Sequence, residues 1–343
     1  MQILGIESSC DETAAAIVTD KKEILSNIVS SQIKNHERFG GVVPEIAARA
    51  HLENIETIID MALTKAKCDI NDVDAIAATC GPGLIGGVLV GMMAGKTIAA
   101  VKRKPFIAIN HLEGHILSPR LTDDIEFPYL VLLVSGAHTQ ILIAHGLGRY
   151  ELLGTTLDDA VGECFDKVGR MLGLPFPGGK YVAQLASACT DKDLANNKFQ
   201  LPRPLKGRKG CDFSFSGLKT AVLKHVDDIS ESDKIDLAAA MENAVADCMI
   251  DRVKNAIQIF DKQYGSFGKS LVTGGGVAAN LTIREKLNAL TNQYNMHFNA
   301  PPAHLCTDNA AMIAWAGVER FKAGKISDFS VKARPRWPLE ELN

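Results

Sequence analysis

The sequence predicts an α/β protein built twice, as two similar lobes around a cleft. Three observations carry that prediction. The chain has 343 residues at 46% hydrophobic content, more than one ordinary core encloses, so two lobes are expected. A run of three short strands followed by a helix occurs at the N-terminus and again from residue 129. In both halves the later strands end in polar or Gly-rich turns that lead into helices, the alternation of an α/β layer structure.

Taken in order, residues 3–6 read as a strand, Ser8-Ser9-Cys10 as a turn, 13–18 as a second strand and 24–29 as a third, after the turn Asp20-Lys21-Lys22-Glu23. Residues 44–65 follow as a helix. Strand 74–79 ends in Gly81-Pro82-Gly83 before an apolar helix at 85–100, and strand 106–110 runs straight into a helix that starts at His111. The second half repeats the plan. Strands 129–134, 139–144 and 150–153 are joined by Ser135-Gly136-Ala137-His138 and His145-Gly146-Leu147-Gly148, with a helix at 158–172. Strand 270–273 ends in Gly274-Gly275-Gly276 before helix 280–290, and strand 296–299 precedes a loop and helix 309–321. Any α/β protein alternates strands and helices, but the matched order of hairpins and glycine turns favours duplication. Residues 191–212 read as an inserted loop carrying Arg203, Lys206, Arg208 and Lys209, and 227–234 as an exposed turn.

Composition excludes several classes. Charged residues make up 22%, near the globular average, which argues against disorder. A net charge of −3 gives no global nucleic-acid signal, so RNA contact would use local basic patches, Arg203, Lys206, Arg208 and Lys209 or Lys102-Arg103-Lys104, or a partner. The eight cysteines contain no CxxC, which fits a reducing compartment and argues against disulfides or a thiolate zinc site. Met1 is followed almost at once by a strand, leaving no room for a signal peptide, and no apolar run reaches the roughly 18 residues of a membrane span. A cytoplasmic protein without membrane contact is the expectation.

The chemistry centres on His111-Leu112-Glu113-Gly114-His115. Histidines four apart share a helix face and can grip one metal ion, although such a pair is as often merely packed. Asp308, before the last long helix, holds the equivalent place in the second half and offers a third ligand. Two histidines and one carboxylate suit Fe(II), Zn or Mn. Glu113 lies on the other side of the helix. A zinc protease needs Glu directly after the first histidine, where this chain has Leu112.

Three turns could surround phosphate with backbone N–H groups: Ser8-Ser9-Cys10, Ser135 to His138, and Gly274-Gly275-Gly276. A single one would be an ordinary tight turn; three at equivalent places favour a nucleotide. There is no GxxxxGK[ST], and Gly81 to Gly87 resembles a dinucleotide turn only loosely. Asp11 and Glu12 sit at the first turn, where folding does not require a charged pair. Asp159, Glu163 and Asp166 share a helical face by spacing, so a cation or ligand would offset their repulsion. No GxSxG elbow occurs, and Cys10 and Cys164 read as buried thiols rather than nucleophiles.

These motifs together resemble the tRNA N6-adenosine threonylcarbamoyltransferases of the TsaD type, once called glycoproteases. The resemblance is carried in order by Gly5-Ile6-Glu7-Ser8-Ser9-Cys10-Asp11-Glu12-Thr13, Gly40 to Glu45, Gly81-Pro82-Gly83-Leu84, the histidine helix, Leu133 to Thr139, Asp158 to Glu163, Phe165-Asp166-Lys167, Phe213 to Thr220, Gly275 to Asn280 and Cys306-Thr307-Asp308-Asn309. It spans nearly the whole chain, and its ending Arg334-Pro335-Arg336-Trp337-Pro338 is similar to the bacterial branch. It implies an actin/hexokinase/Hsp70-like (ribonuclease H-like) fold, with one lobe at 1–118 rejoined by 322–343 and the other at 119–321, carrying an insertion at about 175–235.

The resemblance also implies transfer of threonylcarbamoyl from threonylcarbamoyl-AMP to N6 of adenosine 37 in tRNAs that read codons beginning with A. It makes His111, His115 and Asp308 ligands of one divalent ion, Fe(II) foremost, with Zn or Mn open. Val134, Ser135, Gly136, Ala137, His138, Asp166, Gly179 and Asn280 fall at the adenylate site. Asp11 or Glu12 becomes the candidate that orients N6 or accepts its proton. The implied partners are tRNA, an inactive TsaB-like paralogue of the same fold and a small TsaE-like P-loop ATPase. Three departures stand out: Ala137 where glycine is usual, Ala278 where serine is common, and Lys180 where proline is frequent. A metallopeptidase and a non-catalytic ATP-binding partner of this fold are the rival readings.

Overall fold

The computed structural model describes residues 1–226 and 229–342. The chain forms two compact units: Met1–Ile125 with Gly146–Arg149 and Thr307–Asn343, and Glu126–His145 with Tyr150–Cys306.

In the first unit, strands β1 (Gln2–Glu7), β2 (Glu12–Thr19) and β3 (Ile24–Ser31) make an antiparallel meander. Strands β4 (Ala75–Gly81) and β5 (Phe106–Asn110) add in parallel, giving the order β3-β2-β1-β4-β5. Ile3, Leu4, Ile6, Ile76 and Ala78 are fully buried, as expected of central strands covered on both faces. The helices of this stretch are α1 (Ile33–His36), α2 (Pro44–Ala66), α3 (Ile85–Lys102) and α4 (His111–Thr122). Helix α3 corrects one expectation, because its 18 residues are long and apolar enough to cross a membrane. Its inward face carries Val88, Met92 and Ala99 into the core, and buried Lys96 bonds the carbonyls of Phe329 and Val331.

The second unit repeats the sheet. Strands β6 (Tyr129–Val134), β7 (Thr139–Gly146), β8 (Arg149–Thr155), β9 (Ser270–Gly274) and β10 (His297–Asn299) take the order β10-β9-β6-β7-β8, the first sheet's order read from its other edge. Its helices are α5 (Val161–Met171), α6 (Gly178–Ser187), α7 (Lys192–Phe199), α8 (Ser216–Leu223), α9 (Glu231–Tyr264), α10 (Leu281–Gln293) and α11 (Ala303–Cys306). The duplicated plan is therefore present in both sheets.

Three differences from the sequence reading have physical causes. Residues 192–199 of the supposed loop form α7, started by the Asp191 carboxylate, which accepts from the Leu194 N–H. Of the supposed turn at 227–234, Asp227 and Asp228 lie outside the described residues, and Ser230 caps the 34-residue helix α9. The last helix, α12 (Ala310–Lys322), falls in the first unit, so the chain returns there from Thr307 rather than at 322. Gly5 makes this packing possible: a Cβ there would lie 2.4 Å from the Ala310 carbonyl oxygen and 2.5 Å from the Ala314 nitrogen. Beyond α12 the chain passes the ends of β4 and β5, where Arg334 N–H donates to Cys80 O (2.8 Å) and Asn110 Nδ2 to Trp337 O (2.9 Å).

Candidate metal centre and substrate-binding turns

Strand β5 ends at Asn110, whose side-chain oxygen accepts from the N–H groups of Leu112 (2.9 Å) and Glu113 (3.3 Å) and so starts α4 at the strand's C-terminal end. His111 and His115 then stand one turn apart with ring centroids 4.8 Å apart. Asp308 approaches from the turn before α12, where Asn309 caps the helix through the Met312 N–H. Asp308 Oδ1 lies 3.4 Å from His111 Nε2 and 3.1 Å from His115 Nε2, and all three potential ligand atoms fall within 4.8 Å of one another. Two imidazole nitrogens and a carboxylate oxygen converging in this way form a donor set that fits a divalent first-row metal and leaves coordination positions open. Glu113 is buried on the opposite side of α4, paired with Arg320, and is no ligand.

Glu7, which sequence reasoning treated only as part of a strand-end motif, belongs to this centre. Its Oε2 is 2.9 Å from His111 Nδ1. The one available signal was a carboxylate closing an otherwise apolar strand. Burial disfavours a charged His111, but Asp308 and Glu7 outweigh it and raise its pKa well above the ordinary histidine value. Burial likewise opposes ionisation of Asp308, yet the two imidazoles hold its carboxyl far below the usual range. Glu12 shifts the other way: burial, then Asp11 and Asp308, push its carboxyl well above an ordinary glutamate. Asp11, Glu12 and Asp308 are thus electrostatic neighbours within one unit.

The first of the three turns faces inward. Ser8 and Ser9 are buried; Ser8 Oγ donates to Gly87 O (2.8 Å) and accepts from Gly91 N–H (3.1 Å), and the Ser9 N–H donates to Glu7 (2.6 Å). This turn docks α3 and closes off the phosphate-cradle reading for Ser8 and Ser9. The equivalent turn after β6 is open, with Gly136 and Ala137 exposed. Ser135 Oγ accepts from the His138 N–H (3.0 Å) and, more weakly, from that of Ala137 (3.4 Å). Ala137 is not among the residues with positive φ, so its Cβ carries no backbone strain.

Around this turn the second unit gathers the other expected substrate residues. Gly275 has φ +94°, and a Cβ on it would lie 2.5 Å from Val134 O. The Gly162 N–H, in the first turn of α5, donates to Ser135 O (3.2 Å). Asp166, on the same helix, accepts from the Gly179 N–H (3.3 Å). Asn280 caps α10 through the Ile283 N–H (3.0 Å), and its amide donates to buried Glu242 (2.7 Å).

Other sequence candidates have structural work. Asp159 precedes α5 and pairs with Lys167 (2.9 Å) and Lys219 (2.7 Å), while Glu163 pairs with Lys167 (2.7 Å), so lysines rather than a ligand offset these two carboxylates. Arg203 bonds Asp247, Leu201 O and Asn196, and Lys104 bonds the carbonyls of Asn71 and Val73. Lys206, Arg208, Lys209, Lys102 and Arg103 remain exposed. Cys164 is buried, which raises its pKa to about 12; Cys10 is half-buried, and burial followed by the Asp11 charge raises its pKa too, so neither is a ready thiolate.

Residues 23–315 match the family described as TsaD, tRNA N6-adenosine threonylcarbamoyltransferase. The chain belongs to the TsaD family. A member from Paramagnetospirillum magneticum is 53% identical over 344 residues, covering 99% of this chain and 97% of that protein. One from Rhizobium johnstonii is 53% identical over 350 residues, covering 99% and 94%. Among solved structures, HypF from T. kodakarensis has a TM-score of 0.62 at 12% identity, covering 94% of this chain and 48% of that one. Component A of (R)-2-hydroxyglutaryl-CoA dehydratase from Acidaminococcus fermentans has a TM-score of 0.55 at 17% identity, covering 95% and 100%. A ROK family glucokinase from Streptomyces griseus has a TM-score of 0.50 at 12% identity, covering 94% and 100%. At these identities the TsaD-family chain shares with them the two-lobe actin/hexokinase-like fold alone.

Proposed function

We propose that this chain is a metal-assisted transferase that moves the threonylcarbamoyl group of threonylcarbamoyl-AMP to N6 of adenosine 37 in tRNAs reading codons that begin with A. The observation that carries the reading is the convergence of His111, His115 and Asp308 in a chain of the TsaD family. Neither the metallopeptidase nor the non-catalytic reading gains support: Leu112 stands where a peptidase base would, and the three metal-ligand candidates are all present and together.

N6 is a weak nucleophile because its lone pair is conjugated with the purine. The mixed anhydride answers this with an activated carbonyl carbon and a good leaving group. N6 bonds that carbon, the carbon–oxygen bond to phosphate breaks, AMP leaves with the electron pair, and a proton leaves N6. Such a reaction gains most from orientation and charge stabilisation. A divalent ion at His111, His115 and Asp308, Fe(II) foremost with Zn and Mn as alternatives, supplies a Lewis acid for carbonyl or phosphate oxygens.

The chain's own residues do the rest. Glu12, its carboxyl shifted upward beside Asp11, takes the N6 proton, and Asp11 orients the amine. Val134, Ser135, Gly136, Ala137 and His138 line the adenylate phosphate, Asp166 and Gly179 the ribose, and Asn280, whose amide is held by Glu242, the base. Lys206, Arg208 and Lys209, on a loop of the second unit tied down by Asp251 and Arg252, draw tRNA, and exposed Lys102 and Arg103 are the candidate patch of the first unit. The working assembly includes a TsaB-like paralogue and a TsaE-like ATPase, in the cytoplasm. Single-turnover transfer from supplied threonylcarbamoyl-AMP tests the assignment: full rate in both Asp11→Ala and Glu12→Ala removes these carboxylates from the mechanism.

A further inference from the structure

Glu7 is 1% exposed, and an ionised carboxylate is buried so deeply only when its oxygens are used. Here they are. Oε1 accepts from the Ser9 N–H at 2.6 Å, and Oε2 accepts from the Thr79 hydroxyl at 2.6 Å and faces His111 Nδ1 at 2.9 Å. These groups come from the adjacent ends of β1, β4 and β5, the last continuing into α4, so the strand order itself assembles the contact. The polarity is fixed. A backbone N–H can only donate, and an ionised carboxylate can only accept, so the proton between Glu7 and His111 resides on Nδ1. With that proton held on Nδ1, Nε2, on the side of Asp308 and His115, is the nitrogen free to give up its proton to a metal ion.

We propose that Glu7 is a positioning residue of the metal centre, holding the His111 ring and tautomer so that Nε2 is its ligating nitrogen. The inference rests on the metal reading above. Carboxylate–histidine–metal arrangements raise the basicity of the ligating nitrogen and restrict ring rotation, and their loss typically weakens metal binding about 10–100-fold. The Ser9 hydroxyl, 3.1 Å from the same Nδ1, is a neutral substitute acceptor, so binding is weakened rather than abolished when Glu7 is changed.

Glu7→Gln is the sharpest variant, because it keeps the shape and reverses one hydrogen-bonding group. Either amide orientation sets an N–H against the Ser9 N–H or against His111 Nδ1–H. The experiment titrates metal-stripped full-length protein with Co(II), following the visible absorption of the bound ion, and with Zn(II) by competition. Glu7→Gln is expected to bind about 10–100-fold more weakly than wild type, with an altered Co(II) spectrum. Thr79→Val, which removes a donor to Glu7 without touching His111, stays within a few-fold.

Wild-type affinity and spectrum in Glu7→Gln, alongside lost binding in His111→Ala, overturn the Glu7 role alone. Wild-type binding in His111→Ala overturns the metal reading beneath it. A lower melting temperature in Glu7→Gln with unchanged affinity of the folded protein assigns Glu7 a purely structural part and also overturns the proposal. If Glu7→Gln does not fold, zinc-loaded wild type with ¹⁵N-labelled histidine decides. Zinc on Nε2 and a proton on Nδ1 of His111 support the assignment; zinc on Nδ1 overturns it.

Discussion

The two units share one strand order but use their equivalent turns in opposite ways. After β1, Ser8 and Ser9 are buried and bonded to Gly87, Gly91 and Glu7. After β6, Gly136 and Ala137 are exposed, and the Ser135 hydroxyl and the His138 carbonyl engage the turn's own N–H groups. The first unit instead presents its chemistry where β5 enters α4, with a capping Asn110 and two histidines, joined by Asp308 from the start of α12. A duplicated backbone therefore supplies equivalent places, and the polar groups that remain available make one a set of metal donors and leave the other an open turn.

The strongest way to break this division of labour is to remove a ligand from the first unit. His111→Ala and Asp308→Ala are expected to lose metal and to slow transfer by two orders of magnitude or more, without loss of nucleotide binding by the second unit. Equilibrium binding of AMP beside single-turnover rates checks both halves of the statement. Next in size is Glu12→Gln, expected to lower the transfer rate about 10²–10⁴-fold with metal content unchanged. A pH–rate profile read alongside it tests Glu12 as the proton acceptor: the wild-type acid limb lies above the ordinary glutamate range and vanishes in the variant.

In the second unit the expected effects are smaller and fall on binding. Gly275→Ala places a Cβ 2.5 Å from Val134 O at φ +94°, a strain of about 1–3 kcal/mol that raises KM for the adenylate more than it lowers kcat. Asp159 gives a stability handle confined to that unit. Burial opposes its ionisation, but Lys219 and Lys167 hold its pKa below the usual aspartate value. A depressed carboxylate contributes stability that is complete above its unfolded pKa and fades as pH falls through the folded one. Melting curves of wild type and Asp159→Asn thus differ at neutral pH, begin to draw together near about pH 4 and converge only below the lowered folded value. The smallest effect is electrostatic: reversing Lys206, Arg208 and Lys209 reduces the salt slope of tRNA binding by about one for each phosphate these side chains no longer neutralise.

What could be read from the chain itself follows the range of the forces involved. The step from β5 into α4 was legible because a short apolar run meets an N-cap and helical spacing within ten residues. Asp308 as a candidate ligand was legible only through the repeat, since its partners lie 193 and more residues away. Helix α9 escaped notice: Leu237 to Ala240 and Ala244 to Ala246 are apolar on every side and buried all round, which erases amphipathic periodicity. The placement of α12 depends on Gly5, a contact of high sequence separation that no local pattern announces. Glu7 was hidden for the same reason, because its partners Thr79 and His111 are set by strand order. The acidic run at 159–166 misled because one of its two compensating lysines, Lys219, comes from another helix and the other, Lys167, bridges Asp159 and Glu163.

The central claim is that the histidine–aspartate centre of the first unit assists acyl transfer rather than only stabilising the fold. The most direct measurement is single-turnover threonylcarbamoyl transfer from supplied threonylcarbamoyl-AMP to tRNA by metal-stripped wild-type protein in its assembly, before and after one equivalent of divalent metal per chain is restored. A rate that collapses on stripping, returns on reconstitution and fails to return in His111→Ala is the result this account predicts. A stripped, still-folded enzyme that transfers at the full rate would contradict it.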